Sequence, residues 1–450
     1  MKTLFSLILG LSLITFFSAS AYSFDKAKLD EYLQSLETHD KAMFSLAIVK
    51  NAEPIYQKAI GYVDVENNQK ANIHSQYHIG SITKTYTATM IFQLIDEGKL
   101  SLDTKLATFY PKVKNADKIT ISMLLNHRSG IFNFTNAPEY LQYMQQPKTK
   151  SEMVKLIEEL DSDFAPDSQA NYSNSAYVLL GFIIEDISKN TYAQQLKKRI
   201  TTKLNLTRTM FGGTINVADN QAKSYVYSPQ INQWSPATVT DLSIPHGAGA
   251  IISTPSEVGI FLTSLLTGKL ISADSLAKMK EINQGYGRGL FQFPFNDKKA
   301  YGHTGGIDGF RSQSGYFEAD DLAFVLTSNG MNYGINDISI GVLSIYYGMP
   351  FDIPDFDQQA IDLPVNGLVN YEGLYASDAM PLKITLKVVQ GQLTAQATGQ
   401  GAFNLTPYSK FEFRFAPAGI VMIFAENNGK VDYSTFQLKQ GGGNFTFTRQ

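Results

Sequence analysis

The sequence contains no cysteine. That excludes disulfides, a thiolate nucleophile, thiolate metal ligands and a lipid-modified cysteine. Excess charge of one sign is also absent: 38 Lys and Arg stand against 41 Asp and Glu, a formal net charge of -3. A nucleic-acid partner, which needs a basic face, is therefore not expected. The six histidines are scattered. With no H-E-x-x-H pair and no clustered ligand set, neither a metal nor a cofactor is expected. There is no G-x-S-x-G elbow and no G-x-x-x-x-G-K-[ST] loop, which argues against the usual α/β-hydrolase and nucleotide-binding readings. Low-complexity tracts, internal repeats and long runs of like charge are missing too. Beyond the N-terminus no apolar stretch approaches the roughly 20 residues that a membrane span needs.

What is present is the composition of a globular protein, 44% hydrophobic and 18% charged over 450 residues. That length exceeds one ordinary core and suggests roughly two or three domains. The first residues, "MKTLFSLILGLSLITFFSASAYSFDK", place one lysine before an apolar run from Leu4 to Phe17, then Ala19 and Ala21 in an A-x-A arrangement. This pattern is read as a signal peptide cut after Ala21, and the mature protein as secreted, in a bacterial periplasm. The competing reading is an uncleaved N-terminal anchor.

Along the mature chain, "FSLAIVKNAEPIYQKAIGYVDV" reads as two strands around a polar turn. An amphipathic helix carrying Ser81 to Leu94 follows and stops at Gly98. Residues from about 100 to 240 read as mostly helical, with "SEMVKLIEELDSDF" and "SAYVLLGFIIEDISK" as examples. Strands return in "QSGYFEADDLAFVLTSN", and "DISIGVLSIYYG" reads as a closing helix. The expected organisation is a signal peptide at 1–21 and an α/β body at 22–350, its sheet split by the helical insert. A proline-bearing linker at 351–364 and a small antiparallel β domain at 365–450 complete it.

Candidate chemistry centres on Ser81 and Lys84 in "GSITK". Residues three apart share a helix face, so the lysine can reach the hydroxyl, and a serine needs such a base to become nucleophilic. A helix start offers N–H donors to a developing oxyanion. The spacing alone is weak, because S-x-x-K recurs at Ser23–Lys26 and Ser275–Lys278. Two rarer motifs add weight: Tyr172-Ser173-Asn174, the one Y-x-N in the chain, and His303-Thr304-Gly305, the one H/K-T-G triplet.

S-x-x-K, Y-x-N and H-T-G, in that order, resemble the serine β-lactamase and penicillin-binding-protein superfamily, most closely its class C β-lactamase and D-alanyl-D-alanine carboxypeptidase branch. "LLNHRSGI" with His127, Ser129 and Gly130, "HGAGAIISTPSEVGIF" with Glu257 where aspartate is usual, and "YGRGL" at Tyr286 to Leu290 are similar to further segments of that branch. The resemblance covers roughly residues 25 to 350 and implies an antiparallel sheet flanked by helices with an inserted helical subdomain. It also implies roles. Ser81 would be acylated, Lys84 would take its proton and Tyr172 would relay it to the leaving group. Asn174 would bond Lys84 and a substrate amide, His303, Thr304 and Gly305 would form a strand edge beside the substrate, and the Ser81 and Gly306 amides would form the oxyanion hole.

The implied activity is a secreted serine hydrolase acting through an acyl-enzyme on a small amide, D-amino-acid-containing peptide or ester. The alternatives are a non-catalytic penicillin-binding-like sensor and a true β-lactamase. The implied partner is a small-molecule or peptide substrate; oligomeric state is not indicated. His303 departs from the lysine usual in β-lactamases of the branch and lowers the expectation of penicillin-type substrates. With an ordinary pKa near about 6.5, it would help hold an anionic substrate only at lower pH. Arg311 is a candidate for reading a substrate carboxylate or for a surface ion pair. His127 is expected to be structural, and Trp234 to pack near the cleft or in the core.

Overall fold

Phe44, Leu46 and Ile48 pack into one apolar cluster, Ala47 and Val49 into another, as the two-residue period of a strand requires. Both sets are buried, so this strand lies inside a sheet covered on two faces. The computed structural model describes residues 24–415, 418–440 and 443–450. The proposed signal peptide lies outside the described residues. The sheet is six-stranded: β1 (Ala42–Lys50), β2 (Glu53–Ile60), β3 (Phe291–Phe295), β4 (Lys298–Ile307), β5 (Phe310–Phe317) and β6 (Leu322–Met331). Their order is β3-β4-β5-β6-β1-β2, antiparallel throughout. The chain leaves the sheet after β2 and returns at β3, and β1 pairs with β6 from Ala42↔Met331 to Lys50↔Leu322.

Of the helices α1 (Lys26–Thr38), α2 (Thr83–Asp96), α3 (Asn174–Ser188), α4 (Pro255–Leu266) and α5 (Ile335–Tyr346), α1, α4 and α5 lie on this sheet, and α2 and α3 pack against each other. Leu29 and Leu33 of α1 and Ile338 and Val342 of α5 share a core with Phe44, Leu46, Phe324 and Leu326. On the opposite face, α2, α3 and α4 share a core with Ala47, Val49, Ala323 and Val325. This is the α/β class expected from the sequence.

Two readings need correction. Helix α2 is not amphipathic: it is buried from Thr83 to Leu94. Its alternating threonines satisfy themselves internally, Thr85 donating to the Gly289 carbonyl (2.8 Å), Thr87 to Gly247 (2.6 Å) and Thr89 to Thr85 (2.7 Å). Region 100–240 is also less helical than its periodicity suggested. The "SEMVKLIEELDSDF" helix ends at Glu158, before Asp161, Ser162 and Asp163, whose side chains compete for backbone partners. The region also holds a hairpin, Tyr225–Ser228 with Gln233–Pro236. On it Trp234 meets Tyr227 edge to face and covers Gly330. Glu257, at the start of α4, accepts from the Arg208 amide and the Thr209 hydroxyl, a structural anchor.

Residues 351–364 form neither helix nor strand. From Gly373 to Arg449 a nine-stranded antiparallel sheet encloses its own core, which includes Tyr375, Phe413, Phe424, Phe436 and Phe447. No residue of that core belongs to the two cores around the six-stranded sheet. We propose that the two parts unfold as separate units. Phe424→Ala, which should cost about 3–5 kcal/mol locally, should lower one calorimetric transition and leave a second in place. A single transition shifted as a whole would show one cooperative unit.

Candidate active site

Ser81 lies in a 3₁₀ turn, Gly80–Ile82, that runs directly into α2. The turn is pressed against β4. Gly80 has φ +51°, and a Cβ there would sit 2.8 Å from the Gly306 amide nitrogen. A Cβ at Gly305 would sit 2.1 Å from the Ile79 carbonyl oxygen. Only glycine permits both approaches. Ser312 of β5 reaches through the gap and donates to that same Ile79 carbonyl (2.8 Å). Ser81 is thereby set beside the edge formed by His303, Thr304, Gly305 and Gly306.

One turn further on, Lys84 is wholly buried. Its Nζ lies 3.0 Å from Ser81 Oγ, 2.8 Å from Asn174 Oδ1 and 2.7 Å from the Ala248 carbonyl oxygen. No carboxylate forms an ion pair with it among the described residues. Burial accordingly holds its pKa well below the usual lysine value. The ring faces of Tyr172 and Tyr177 lie 4.9 and 5.6 Å from the nitrogen.

Tyr172 precedes α3, whose cap is Ser173 and whose first residue is Asn174. His127 brackets this segment. Its carbonyl accepts from Asn171 N–H (2.9 Å), its Nδ1 accepts from Ser173 N–H (3.2 Å), and its ring lies 4.4 Å from that of Tyr172. Burial pushes the Tyr172 phenol above its ordinary value, an effect the nearby Ser81 hydroxyl opposes. The Tyr172 hydroxyl is buried and lacks a partner of normal hydrogen-bond geometry. Asn174 is oriented by Asn133 Oδ1, which accepts its backbone N–H (3.0 Å), and by Thr135 Oγ1, 3.2 Å from its Nδ2.

Ser81, Tyr172, His303, Thr304 and Gly306 line one cleft of about 530 Å³, together with Gln284, Gly285, Tyr286 and Phe291. His303 differs from the residue expected. It is buried, its Nδ1 lies 2.5 Å from the Thr304 carbonyl, and its ring packs on Phe291 at 4.4 Å. Burial first, and the Lys84 charge second, lower its pKa to about 3. A pKa so lowered favours the neutral imidazole and argues against the expected titration near the ordinary histidine value.

Arg311 is not among the cleft-lining residues: its guanidinium caps its own hairpin, donating to the carbonyls of Asp308 (2.9 Å) and Phe310 (2.7 Å). Ser275 and Lys278 do not meet. Ser275 donates to Asp96 (2.6 Å) and Lys278 pairs with Asp274 (2.7 Å). Ser23 lies outside the described residues. The "YGRGL" segment, whose resemblance in the family is to a strand, is irregular here: Gly289 has positive φ, and the strand starts at Phe291.

Sequence reasoning missed the Ala248 carbonyl, Gln284 and Phe291. A backbone acceptor leaves no residue-type signal. Gln284 and Phe291 sit beside the "YGRGL" segment, the one available hint.

Known proteins resemble this chain in sequence and in fold. The D-amino acid amidase from Ochrobactrum anthropi SV3, solved with L-phenylalanine amide, is 26% identical. It superposes with a TM-score of 0.61 over 71% of this chain and 99% of its own. The octameric penicillin-binding protein homologue from Pyrococcus abyssi, 22% identical, shares the fold over 94% of this chain and all of its own, with a TM-score of 0.66. Teichoic acid D-alanine hydrolase of Staphylococcus aureus is 27% identical over 247 residues, 54% of this chain and 58% of that relative. The model of the family described as Beta-lactamase matches residues 29–337. The chain is a hydrolase of the Beta-lactamase family.

Proposed function

We propose that this protein is a secreted serine hydrolase that cleaves a D-aminoacyl ester or amide through an acyl-enzyme on Ser81. The observation that carries this reading is the buried contact of Lys84 with Ser81. A neutral amine has two N–H donors and one lone pair. Asn174 Oδ1 and the Ala248 carbonyl can only accept, so they take both N–H groups. The lone pair is left for the Ser81 O–H, and burial favours this neutral form.

Ser81 Oγ attacks the substrate carbonyl carbon as its proton passes to Lys84. The oxyanion is held by the amides of Ser81 and Gly306. Tyr172, a neutral phenol with an unpaired hydroxyl, donates a proton to the departing alcohol or amine and is reprotonated from Lys84. Water then attacks the ester by the reverse proton path and releases the acid. Among the cleft-lining residues there is no Lys or Arg, and the walls are Tyr172, Tyr286, Phe291 and a neutral His303. A penicillin or peptide carboxylate would find no fixed cation there. An ester or amide needs none, and the names of the amidase and the teichoic acid hydrolase share a D-aminoacyl group. Export rests on the signal-like residues 1–21 and is compatible with the absence, among the described residues, of any helix long and apolar enough to cross a membrane.

A fluorophosphonate probe should label wild type and Ser275→Ala equally and leave Ser81→Ala unlabelled, as read by mass spectrometry of the adduct. Labelling of Ser81→Ala at the wild-type rate would refute the assignment.

Lys84→Ala and Tyr172→Phe should each slow acylation by roughly 10²–10⁴, the range of a lost acid–base group, with native circular dichroism. Stopped-flow burst kinetics check this, and a full-rate burst in either variant removes that residue from the proton path.

The pH profile follows from the two lowered pKa values. Lys84 must be neutral, so kcat/KM should fall as pH drops through its depressed pKa and level off above it. His303 is already neutral above about 3, so anionic and neutral substrates should give parallel profiles between about pH 5 and 8, where an ordinary histidine would titrate. A limb in that range for the anionic substrate alone, abolished by His303→Gln, would show that His303 carries charge.

A further inference from the structure

The rim of the cleft is a tight turn that the sequence does not announce. Asn283 and Tyr286 exchange backbone hydrogen bonds, Asn283 N–H to Tyr286 O (2.9 Å) and Tyr286 N–H to Asn283 O (3.1 Å). The two residues between them, Gln284 and Gly285, have φ +49° and +87°. This is the geometry of a two-residue turn of the primed kind. Glycine adopts it freely, but Gln284 carries a Cβ and is disfavoured there. Three of the four turn residues, Gln284, Gly285 and Tyr286, line the cleft together with His303, Thr304 and Gly306 of the strand edge.

Something else must hold Gln284, and the structure supplies it. Arg128, in the insert, donates through Nη1 to Gln284 Oε1 (2.9 Å). Its Nε donates to the Asp167 carboxylate at 2.5 Å and its Nη2 to the Asp167 carbonyl, while Asp167 N–H returns a bond to the Arg128 carbonyl (2.8 Å). Arg128 is 9% exposed as a residue, and its guanidinium, thus fixed at one end, extends a single donor arm to the turn. Arg128 and Asp167 are outside the cleft lining. Arg128 also directly follows His127, which brackets Tyr172. One short segment therefore sets both the proton-relay tyrosine and the far wall.

The geometry points to Arg128 as a positioning residue for substrate size. Its bond to Gln284 locks the Asn283–Tyr286 turn inward and limits how long a substituent the cleft accepts on one side of the scissile bond. The inference rests on the hydrolase reading for its consequence, but the lock itself is testable without turnover.

Hydrogen–deuterium exchange should rise across residues 281–291 in Arg128→Ala and stay at the wild-type level across 172–188. Two ester series then test the consequence, one varying acyl length at a fixed p-nitrophenol leaving group, the other varying the alcohol at a fixed acyl group. In one of them the kcat/KM ratio of the bulky to the small member should rise about tenfold in Arg128→Ala, the low end of what a methylene of pocket space is worth. Gln284→Glu keeps an acceptor for Arg128 and should retain the wild-type ratio. Should Arg128→Ala fail to fold, Gln284→Ala removes the same bond from the exposed side and must give the same two results. Unchanged exchange overturns the lock, and raised exchange with both ratios unchanged overturns its role in size selection. Lack of Ser81-dependent turnover in wild type would refute the hydrolase reading alone, with the exchange result still deciding the lock.

Discussion

A lysine stripped of water and given two obligate acceptors is the constraint on which the site depends. Removing an ammonium from water is costly, and no carboxylate offsets it here. Burial therefore favours the neutral amine, whose nitrogen lies within hydrogen-bond reach of Asn174, the Ala248 carbonyl and Ser81. Everything around it serves burial and aim. Tyr172 and Tyr177 roof the nitrogen, α2 is sunk into the core, and Thr87 fixes the Gly247 carbonyl one residue before Ala248. The same low-dielectric surroundings act on the neighbours, holding His303 and His127 neutral and Tyr172 protonated. Desolvation is the largest influence on each of these groups.

Close approach is the second requirement. The turn holding Ser81 touches β4 only because Gly80 and Gly305 lack side chains, and Ser312 ties the contact from the next strand. The contact at this point is backbone against backbone. At the rim of the cleft, Arg128 donates to Gln284.

The fold class and the members of the site were legible to different depths. Alternation in "FSLAIVK" and the three motifs around Ser81, Tyr172 and His303 are local patterns, and a sequence displays local patterns directly. Three things were not legible. The threonines of α2 look like a polar face because hydrogen bonds to carbonyls far along the chain cannot be read from period alone. The protonation of His303 is a property of its burial and not of its residue type. The Gln284 turn is held by Arg128, 156 residues away, so no spacing rule reaches it. In each case tertiary context replaced the local preference.

The pairing of β1 with β6 has a consequence for how the molecule comes into being. The first strand of the sheet is completed by the last, and Ser328 closes on the Met43 carbonyl across 285 positions of sequence. Lys84 likewise finds Ala248 across 164. A growing chain carries Ser81 early, yet any fragment ending before Gly306 lacks part of the strand edge beside it, and one ending before Met331 lacks the full sheet that seats it. Long-range pairings of this kind form late and slowly. The proposed site is therefore complete only once the two ends of the body have met.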